Sequence, residues 1–511
     1  MNRVISAMLG SSGSRTEIRQ RWLAAVARRV TSARPDIADS LVSVLGIQPA
    51  NENLLEGLSI GEVSVCYEAL LVQLDHRSRK SSGQFFTPDD AARFMARQSV
   101  DFEVGIWLDP CCGVGNLSWH LAAVQPDPAE FVRDRLILID RDEVALSSAV
   151  ALIAASFVAR DDSEAVGLFH RRAVRRDFLN RAPLPDHDFS IMNPPYARAE
   201  PAQGYKTGQA RDLFAYFLER TAETSRGFVA VTPASYLSAP KFQPLRDVLE
   251  RTTRGGNIFV FDNVPDTLFR GYKYGSNNTS KTNFVRAAVT VSQPTAASWR
   301  LTPIIRWQSA YRAQMFRECA ALLGLRRIGP HGEWAKLGPN DGPVWDAING
   351  AERSLFDLTT PQATEYRLEV GLTPRYYISA SYRVLDRASK ATLYFRTAED
   401  RDIAAIVLNS SLPYFWWRAL DGGVTLPRRV LMSTPVPALK GSLPQLVSRL
   451  RRSEDENVVV KLNAGRHNEN VKHPPELVRE LNVAASVEGL DTRLLYTSSM
   501  FPLACVSLPA Q

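Results

Sequence analysis

Hydrophobic and polar residues are arranged with two different spacings along the chain. Residues 18–30 and 60–74 place apolar side chains at helical spacing, so residues 1–80 are predicted to form a helical region. Further on, short apolar runs alternate with helical patterns. The predicted strands are 106–108, 136–139, 189–192 and 227–231, and the predicted helices between them are 94–99, 144–158 and 213–224. This alternation predicts an α/β domain over residues 81–295, built on a doubly wound parallel sheet covered on both faces.

The regular alternation ends after about residue 295. Residues 296–511 contain short strand-like runs, many aromatic residues and scattered prolines, which predict a separate mixed α+β domain. The densest aromatic cluster lies at residues 406–417, and so many rings in succession are more typical of a core than of a ligand contact.

Composition and charge limit the functional classes. The chain has 511 residues, 45% hydrophobic and 23% charged, as in ordinary globular proteins with two or three domains. No apolar run has membrane-spanning length, and no signal peptide is evident. The five cysteines lack metal-ligand spacing, which favours a reduced, cytoplasmic protein without a metal. A net charge of +7 gives weak support for a nucleic-acid partner.

A rigid polar turn follows the predicted strand at residues 189–192. Its sequence is Asn193-Pro194-Pro195-Tyr196, in which the prolines fix the backbone and remove two amide donors. The Asn193 side-chain oxygen and the Pro194 carbonyl form two acceptors suited to one amino group, and Tyr196 offers a face for stacking. The motif predicts a site for a planar amine, although a proline pair can also simply end a strand.

A turn with two glycines follows the predicted strand at residues 106–108. Residues 109–115 have the sequence DPCCGVG, and two glycines separated by one residue allow the backbone to approach a ligand closely. Such a turn at the end of a first strand is a ligand site in open α/β sheets, although plain turns share the pattern. Position 118 is Ser rather than a third glycine, which argues against a dinucleotide and suits a nucleoside.

Acidic residues mark the ends of the next predicted strands. Asp140 is placed to accept both hydroxyls of a ribose, but it could equally cap the helix that follows. Asp177 could accept from an adenine amino group, and Phe178 could pack on its ring. Upstream, residues 83–88 (GQFFTP) precede a helix, where Thr87 is expected to be the N-cap and Pro88 the first helical residue.

The order of these motifs resembles that of the adenine-N6 DNA methyltransferases of the gamma arrangement. These enzymes have a GQF-x-TP segment, a DP-x-CG-x-G loop, an NPPY motif and a C-terminal target-recognition domain, in that order. The resemblance covers about residues 60–290 and implies a Rossmann-like domain that depends on S-adenosylmethionine. The activity implied is that of a site-specific, adenine-specific DNA methyltransferase acting on an adenine rotated out of double-stranded DNA.

The resemblance also implies roles for individual residues. Asn193, Pro194, Pro195 and Tyr196 would be catalytic, with Tyr196 and Phe269 stacking on the target base; Tyr272 and Tyr274 are rivals for Phe269. The residues implied in cofactor binding are Phe86, Thr87, Asp109, Cys111, Gly113, Gly115, Asp140, Arg141, Asp177 and Phe178. The expected DNA contacts in the C-terminal domain are Arg375, Arg383, Arg428 and Arg429.

Other functions stay open at this point. The methylated amine could instead be cytosine N4, an RNA base or a protein glutamine. The chain could also be a modification subunit that requires a separate specificity chain. A separately encoded restriction endonuclease, or other defence-system proteins, are expected partners.

Overall fold

The computed structural model describes residues 1–10, 14–74, 87–269, 273–274, 277–278, 285–374, 376–463, 466–490 and 500–501. The chain divides into two compact units. The first comprises Met1–Tyr236 with Lys241–Arg300, and the second comprises Leu237–Pro240 with Leu301–Gln511.

The first unit alternates helices and strands after an N-terminal group of helices. Its elements are α1 (Asn2–Leu9), α2 (Arg15–Ala33), α3 (Ala38–Leu45), α4 (Ile60–Leu74), α5 (Asp89–Arg97), β1 (Trp107–Asp109), α6 (Asn116–Ala123), α7 (Pro128–Glu130), β2 (Leu136–Asp140), α8 (Glu143–Phe157), α9 (Ser163–Arg171), β3 (Ala173–Arg175), β4 (Phe189–Met192), α10 (Leu213–Thr224), β5 (Gly227–Pro233), α11 (Gln243–Thr252), β6 (Gly256–Phe261), β7 (Lys273–Tyr274), β8 (Asn277–Asn278) and β9 (Ala287–Ser292).

The central sheet of this unit has the strand order β3-β2-β1-β4-β5-β9-β6. The first five strands are parallel, with Trp107 of β1 paired with Leu136 of β2 on one side and with Phe189 of β4 on the other. Strand β9 runs antiparallel to both β5 and β6. The chain changes its direction of winding between β1 and β4, and open α/β sheets bind their ligands at the carboxyl ends of the strands beside such a point.

The strands of this sheet are hydrophobic on both faces. Every residue of β4 and β5 is buried, as expected for a sheet covered by helices on each side. Helix α8 covers part of the sheet with a run of small and aliphatic residues, ten of which are buried. The N-terminal helices pack outside α8, where the Trp22 indole donates a hydrogen bond of 3.0 Å to the Ser148 hydroxyl.

The second unit is built from short strands and helices. Its elements are β10 (Trp299–Trp307), α12 (Arg312–Glu318), β11 (Gly324–Leu325), β12 (Arg327–Ile328), β13 (Trp334–Ala335), α13 (Gly342–Asn349), β14 (Arg353–Ser354), α14 (Leu355–Leu358), β15 (Thr359–Thr360), β16 (Arg367–Gly371), β17 (Ala380–Ser381), β18 (Lys390–Phe395), α15 (Ala398–Asn409), α16 (Leu412–Leu420), α17 (Arg428–Met432), β19 (Pro435–Val436), α18 (Leu443–Glu456), β20 (Val458–Asn463), β21 (Arg466–Val471), α19 (Pro475–Ala484) and β22 (Met500–Phe501). Strands β15-β18-β16-β17 form an antiparallel sheet.

The aromatic cluster at residues 406–417 lies in the core of this second unit, as the sequence predicted. Every residue of α16 is buried, and the Trp416 ring stacks on that of Trp345 with 4.7 Å between ring centroids. These rings stabilise the fold of the unit and are inaccessible to a ligand.

One local prediction is wrong. Helix α5 begins at Asp89 and its N-cap is Pro88, so Thr87 does not cap it and Pro88 is not its first helical residue. The Thr87 hydroxyl instead accepts a hydrogen bond from Asn193, and its carbonyl accepts one from Asn116. Thr87 therefore forms hydrogen bonds with distant residues instead of capping α5.

Candidate active site

A cavity of about 200 Å³ opens at the carboxyl ends of β1, β2 and β4. It brings together residues from motifs that are up to about a hundred positions apart in the sequence. The residues singled out from the sequence that line it are Thr87, Asp109, Cys111, Gly113, Asp140, Arg141, Asp177, Phe178, Asn193, Pro194 and Pro195. The two acceptors proposed for an amine and the glycine turn thus face one space.

The glycine turn needs both of its glycines. Gly113 has a φ of 53° and Gly115 a φ of 90°, values that other residues rarely adopt. A Cβ built on Gly113 would meet nothing within 4 Å, whereas one on Gly115 would lie 3.0 Å from the Ala149 side chain on α8. Gly113 therefore leaves room beside the cavity, and Gly115 allows the turn to approach the helix closely.

Asp109 holds the turn from inside. One carboxylate oxygen accepts a hydrogen bond of 2.7 Å from the Ser118 hydroxyl, and the other accepts one of 3.2 Å from the Cys111 amide. Burial raises the pKa of this carboxyl to about 7, partly opposed by these two donors. Asp109 consequently fixes the shape of the loop.

Asp140 joins the end of β2 to the glycine turn. Its two oxygens accept hydrogen bonds from the Gly113 amide at 2.8 Å and from the Asp142 amide at 2.9 Å. Burial is the main cause that raises the pKa of the Asp140 carboxyl. The alternative role of Asp140 as a helix cap is wrong, because the side chain that caps α8 is that of Asp142, which accepts from the Val144 amide.

Asp177 and Phe178 follow β3 and line the cavity. The Asp177 carboxylate accepts a hydrogen bond of 2.9 Å from the Leu179 amide and is otherwise exposed. Phe178 is buried, stacks on Phe217 of α10 with 5.2 Å between centroids, and has the Arg220 guanidinium over its ring. The ring is thus rigidly held where it meets the cavity.

Two adjacent thiols line the same cavity. Burial raises the pKa values of Cys111 and Cys112 well above the ordinary value, and the nearby carboxyls of Asp109 and Asp140 raise them further. The thiols are therefore protonated at neutral pH. The backbone of Asn193 hydrogen-bonds with Cys111, which places the NPPY motif directly against the glycine turn.

Thr87 connects the two ends of the site. The Asn193 amide nitrogen donates a hydrogen bond of 2.7 Å to the Thr87 hydroxyl. The Asn116 amide nitrogen donates one of 2.7 Å to the Thr87 carbonyl. Since a carbonyl can only accept, this contact fixes the orientation of the Asn116 amide, and its Oδ1 has no hydrogen-bond partner among the described residues.

Tyr196 and Phe269 pack against each other beside the cavity. Their ring centroids are 5.7 Å apart at an interplanar angle of 69°, and the Tyr196 hydroxyl donates to the Val231 carbonyl at 2.9 Å. Tyr196 is half-buried and Phe269 is buried. Phe269 is thus in contact with the tyrosine of the NPPY motif. The predicted Phe86 and the side chains of Tyr272 and Tyr274 lie outside the described residues.

The basic residues predicted to contact DNA differ in their surroundings. Arg383 is exposed and lies 3.6 Å from the Asp455 carboxylate. Arg428 is exposed at the start of α17, whereas its neighbour Arg429 forms an ion pair with the buried Glu333. Arg375 lies outside the described residues.

Several residues that line the cavity were not identified from the sequence. They are Ser64, Glu68, Asn116, Arg176 and Phe217. Ser64 and Glu68 lie on α4 before the first motif, so no motif spacing points to them. Phe217 lies on α10, a helix that the hydrophobic spacing predicted. Asn116 directly follows the glycine turn and could have been found as its next residue.

Within the described ranges, no three His, Cys, Asp or Glu side chains are grouped so that they could hold a metal ion. In that same part of the chain, no helix combines the length and apolar composition needed to cross a bilayer.

Comparison with known proteins places this cavity in context. Residues 59–125 match the family model described as N-6 DNA Methylase, a range that includes α4, Thr87 and the glycine turn. No curated protein matches the chain significantly in sequence.

Several solved structures are distantly similar. The type I restriction-modification system methyltransferase subunit from Streptococcus thermophilus is 14% identical, with 52% of this chain and 58% of that chain covered and a TM-score of 0.35. The DrdV-DNA complex is 12% identical over 94% and 57%, with a TM-score of 0.45. The type IIG restriction endonuclease BpuSI is 12% identical over 99% and 80%, with a TM-score of 0.41. At these TM-scores the likenesses carry no argument about activity.

The family match confirms the resemblance inferred from the motifs. It covers the segment in which GQFFTP and DPCCGVG occur, and the strand order and the cavity provide the Rossmann-like fold that such sites require. Residues 59–125 are therefore similar to the N-6 DNA methylases, and this similarity implies S-adenosylmethionine as the cofactor.

Proposed function

We propose that this chain transfers a methyl group to the N6 amino group of an adenine rotated out of double-stranded DNA. One observation supports the proposal above all: Asn193, Pro194 and Pro195 line the same cavity as the glycine turn and Asp140. An amine held by the NPPY motif would therefore lie next to a nucleoside bound at the turn.

The cavity suits S-adenosylmethionine in its shape and its polar groups. The open space beside Gly113 leaves room for a ligand at the turn, and the buried Asn116 Oδ1 is an acceptor with no hydrogen-bond partner among the described residues. Asp140 would hold the ribose hydroxyls, and Asp177 with Phe178 the adenine. When bound, the cofactor supplies an electrophilic methyl group on a sulfonium.

The NPPY motif would activate the target amine by accepting its hydrogens. Adenine N6 is a poor nucleophile because its lone pair is delocalised into the ring. Asn193 Oδ1 and the Pro194 carbonyl, which can only accept, would draw the two N–H groups out of the plane and localise the lone pair. Holding the reactants in line contributes much of the rate, since orientation can lower a barrier by roughly 7–11 kcal/mol.

Removing a base from the duplex costs a few kcal/mol, and stacking on aromatic side chains offsets part of that cost. Tyr196, the last residue of the NPPY motif, packs against Phe269, and these two rings are the proposed stacking residues. In this structure Phe269 is buried and the Tyr196 hydroxyl is bonded to β5, so stacking would require the two rings to separate. Entry of the base between them would accompany DNA binding.

The second unit is proposed to recognise the DNA target, with Arg375, Arg383 and Arg428 as phosphate or base contacts. A role in restriction-modification or phage defence, together with a separately encoded endonuclease, fits a site-specific methyltransferase.

The catalytic proposal is tested with Asn193→Ala and the exposed control Asn349→Ala. Nucleosides from DNA treated with each protein and S-adenosylmethionine are quantified by mass spectrometry. We expect N6-methyldeoxyadenosine with the wild type and the control, and a loss of at least a hundredfold with Asn193→Ala at retained cofactor affinity. Normal turnover by Asn193→Ala would remove the assignment.

The same measurement separates the remaining alternatives. N4-methyldeoxycytidine in place of N6-methyldeoxyadenosine would identify cytosine as the target base. Methylation found only when RNA or a glutamine-containing protein replaces DNA in the assay would identify a different substrate class. Activity that appears only after a second subunit is added would identify the chain as a modification subunit.

A further inference from the structure

Helix α4 presents two polar residues to the cofactor cavity. Ser64 and Glu68 lie four residues apart, on the same face of the helix, and both line the cavity with Asp140 and Asn116. Neither belongs to the motifs that define the site. Glu68 is half-buried, and a carboxylate at such a position needs a partner of its own.

The other two carboxylates deep in the cavity already have donors. Asp109 accepts from Ser118 and Cys111, and Asp140 accepts from two backbone amides. Among the described residues, no hydrogen bond or ion pair is formed by the Glu68 carboxylate. Burial, without an opposing partner, raises its pKa to about 7.

Helix α4 is held in place by hydrogen bonds to two other helices. At its start, the Gly61 amide donates a hydrogen bond of 2.9 Å to Asp89 of α5. Next to Glu68, the Tyr67 hydroxyl donates one of 2.8 Å to Asp142, the cap of α8. These contacts fix the position of α4 and therefore that of Glu68 beside the cavity.

A second acceptor is provided by α6, which packs against α4. Asn116 is 6% exposed, its amide nitrogen is committed to the Thr87 carbonyl, and its Oδ1 has no hydrogen-bond partner among the described residues. Two acceptors, one of them a carboxylate, therefore line a cavity whose cofactor carries an ammonium group.

We propose that Glu68 and Asn116 Oδ1 bind the α-ammonium group of the cofactor's methionine moiety. An ammonium has three donors and a full positive charge, so it satisfies both acceptors and offsets the cost of burying the carboxylate. The ribose hydroxyls are a poorer match for Glu68, because they are neutral and because we have assigned them to Asp140. A carboxylate without another partner is stabilised best by a positively charged donor. The proposal rests on the proposed arrangement of the cofactor in this cavity.

The test compares ligands with and without the amino-acid group. Isothermal calorimetry measures the affinities of S-adenosylmethionine, S-adenosylhomocysteine and 5′-methylthioadenosine for the wild type, for Glu68→Gln and for the exposed control Glu56→Gln. We expect Glu68→Gln to weaken the first two ligands by about ten- to a hundredfold. Binding of 5′-methylthioadenosine, which lacks the ammonium, should stay within twofold, as should all three ligands with the control.

Each outcome decides a different point. Equal losses for all three ligands would overturn the ammonium assignment in favour of a contact with the nucleoside or a structural role. Unchanged affinity for S-adenosylmethionine would overturn it as well. Retained binding of 5′-methylthioadenosine shows that Glu68→Gln is folded. If the wild type bound none of the ligands, the proposed arrangement of the cofactor would fail together with the inference.

Discussion

Thr87 links the residues proposed for the cofactor to those proposed for the target base. Its hydroxyl accepts from Asn193 and its carbonyl from Asn116, so one residue orients two amide side chains of the cavity. The hydrogen bond from its nitrogen to Thr87 orients the Asn193 amide, and the proposed mechanism uses the oxygen of this amide as an acceptor for the amine. The orientation of the amide that we propose to be catalytic therefore depends on a residue more than a hundred positions earlier.

Replacement of Thr87 tests this dependence. Thr87→Val keeps the shape of the side chain but removes the acceptor for Asn193, whereas Thr87→Ser keeps the hydroxyl. A single hydrogen bond is worth about 0.5–1.5 kcal/mol, so Thr87→Val should lower kcat about two- to tenfold. Thr87→Ser should stay near wild type. Steady-state kinetics with DNA measure both, and equal kcat values would contradict the orienting role.

Glu68 should also make the stability of the ligand-free protein depend on pH. Its pKa of about 7 in the fold lies above the ordinary 4.5, so the folded state favours the protonated form. The free energy of unfolding of the wild type therefore falls as pH rises from about 4.5 to 7. Glu68→Gln has no ionisable group at this position, so its free energy of unfolding should not show this fall. The variant should have a Tm about 1–3 °C above wild type at pH 8 and an equal Tm near pH 4.5. A constant difference across this range would contradict the assignment.

Sequence reasoning found the residues of the site that belong to motifs and missed those that do not. Asp140, Asn193 and Gly113 were expected at strand ends, and strand ends meet at one edge of a parallel sheet. Glu68 could not be found in this way, because a single Glu on an amphipathic helix gives no indication of which side chains it will face. Only the packing of α4 places it in the cavity.

The helices and strands of the first unit were largely predictable from their hydrophobic spacing. Helices α4 and α10 and strand β4 have the predicted bounds, β1 is shifted by one residue, and β2 and β5 extend one and two residues beyond their predicted ends. Local rules failed at the start of α5. There Thr87 forms long-range hydrogen bonds, which no pattern within the segment could reveal.

Asp142 ties together three elements of the first unit. It caps α8 through the Val144 amide and accepts hydrogen bonds from Tyr67 of α4 and Arg19 of α2. Asp142→Ala should therefore lower the free energy of unfolding by about 2–3 kcal/mol, the sum of a cap and a side-chain hydrogen bond. Tyr67→Phe should cost only about 1 kcal/mol. Urea denaturation measures both, and equal losses would contradict the capping role.

Helix α17 provides a matched pair of arginines. Arg428 is exposed, and Arg429 is paired with Glu333, which is 1% exposed. Arg429→Ala leaves a buried carboxylate without its cation and should destabilise the protein by about 2–3 kcal/mol in urea denaturation. Arg428→Ala should leave the free energy of unfolding unchanged. It should instead make the slope of log K for DNA binding against log salt concentration less steep by about one. An unchanged slope would exclude Arg428 from the phosphate contacts.

At the scale of the molecule, the order of motifs and the alternation of strands and helices predicted a doubly wound fold. The structure confirms it, with parallel strands β3-β2-β1-β4-β5 and a cavity at the winding change between β1 and β4. The antiparallel β9 was not predicted, since strand direction depends on pairing between distant segments. The second unit was predicted only as mixed α+β, because its many two-residue strands leave no periodic pattern.

The paired cysteines of the glycine turn have a practical consequence. Alkylating reagents attack the thiolate, and Cys111 and Cys112 are kept in the thiol form by burial and by neighbouring carboxyls. Labelling of the intact enzyme by iodoacetamide should therefore be slow at neutral pH. A ligand bound at the turn would shield these sulfurs further. The rate at which they are alkylated should therefore report how much of the cavity is occupied by ligand, without the need for a chromophore on the ligand.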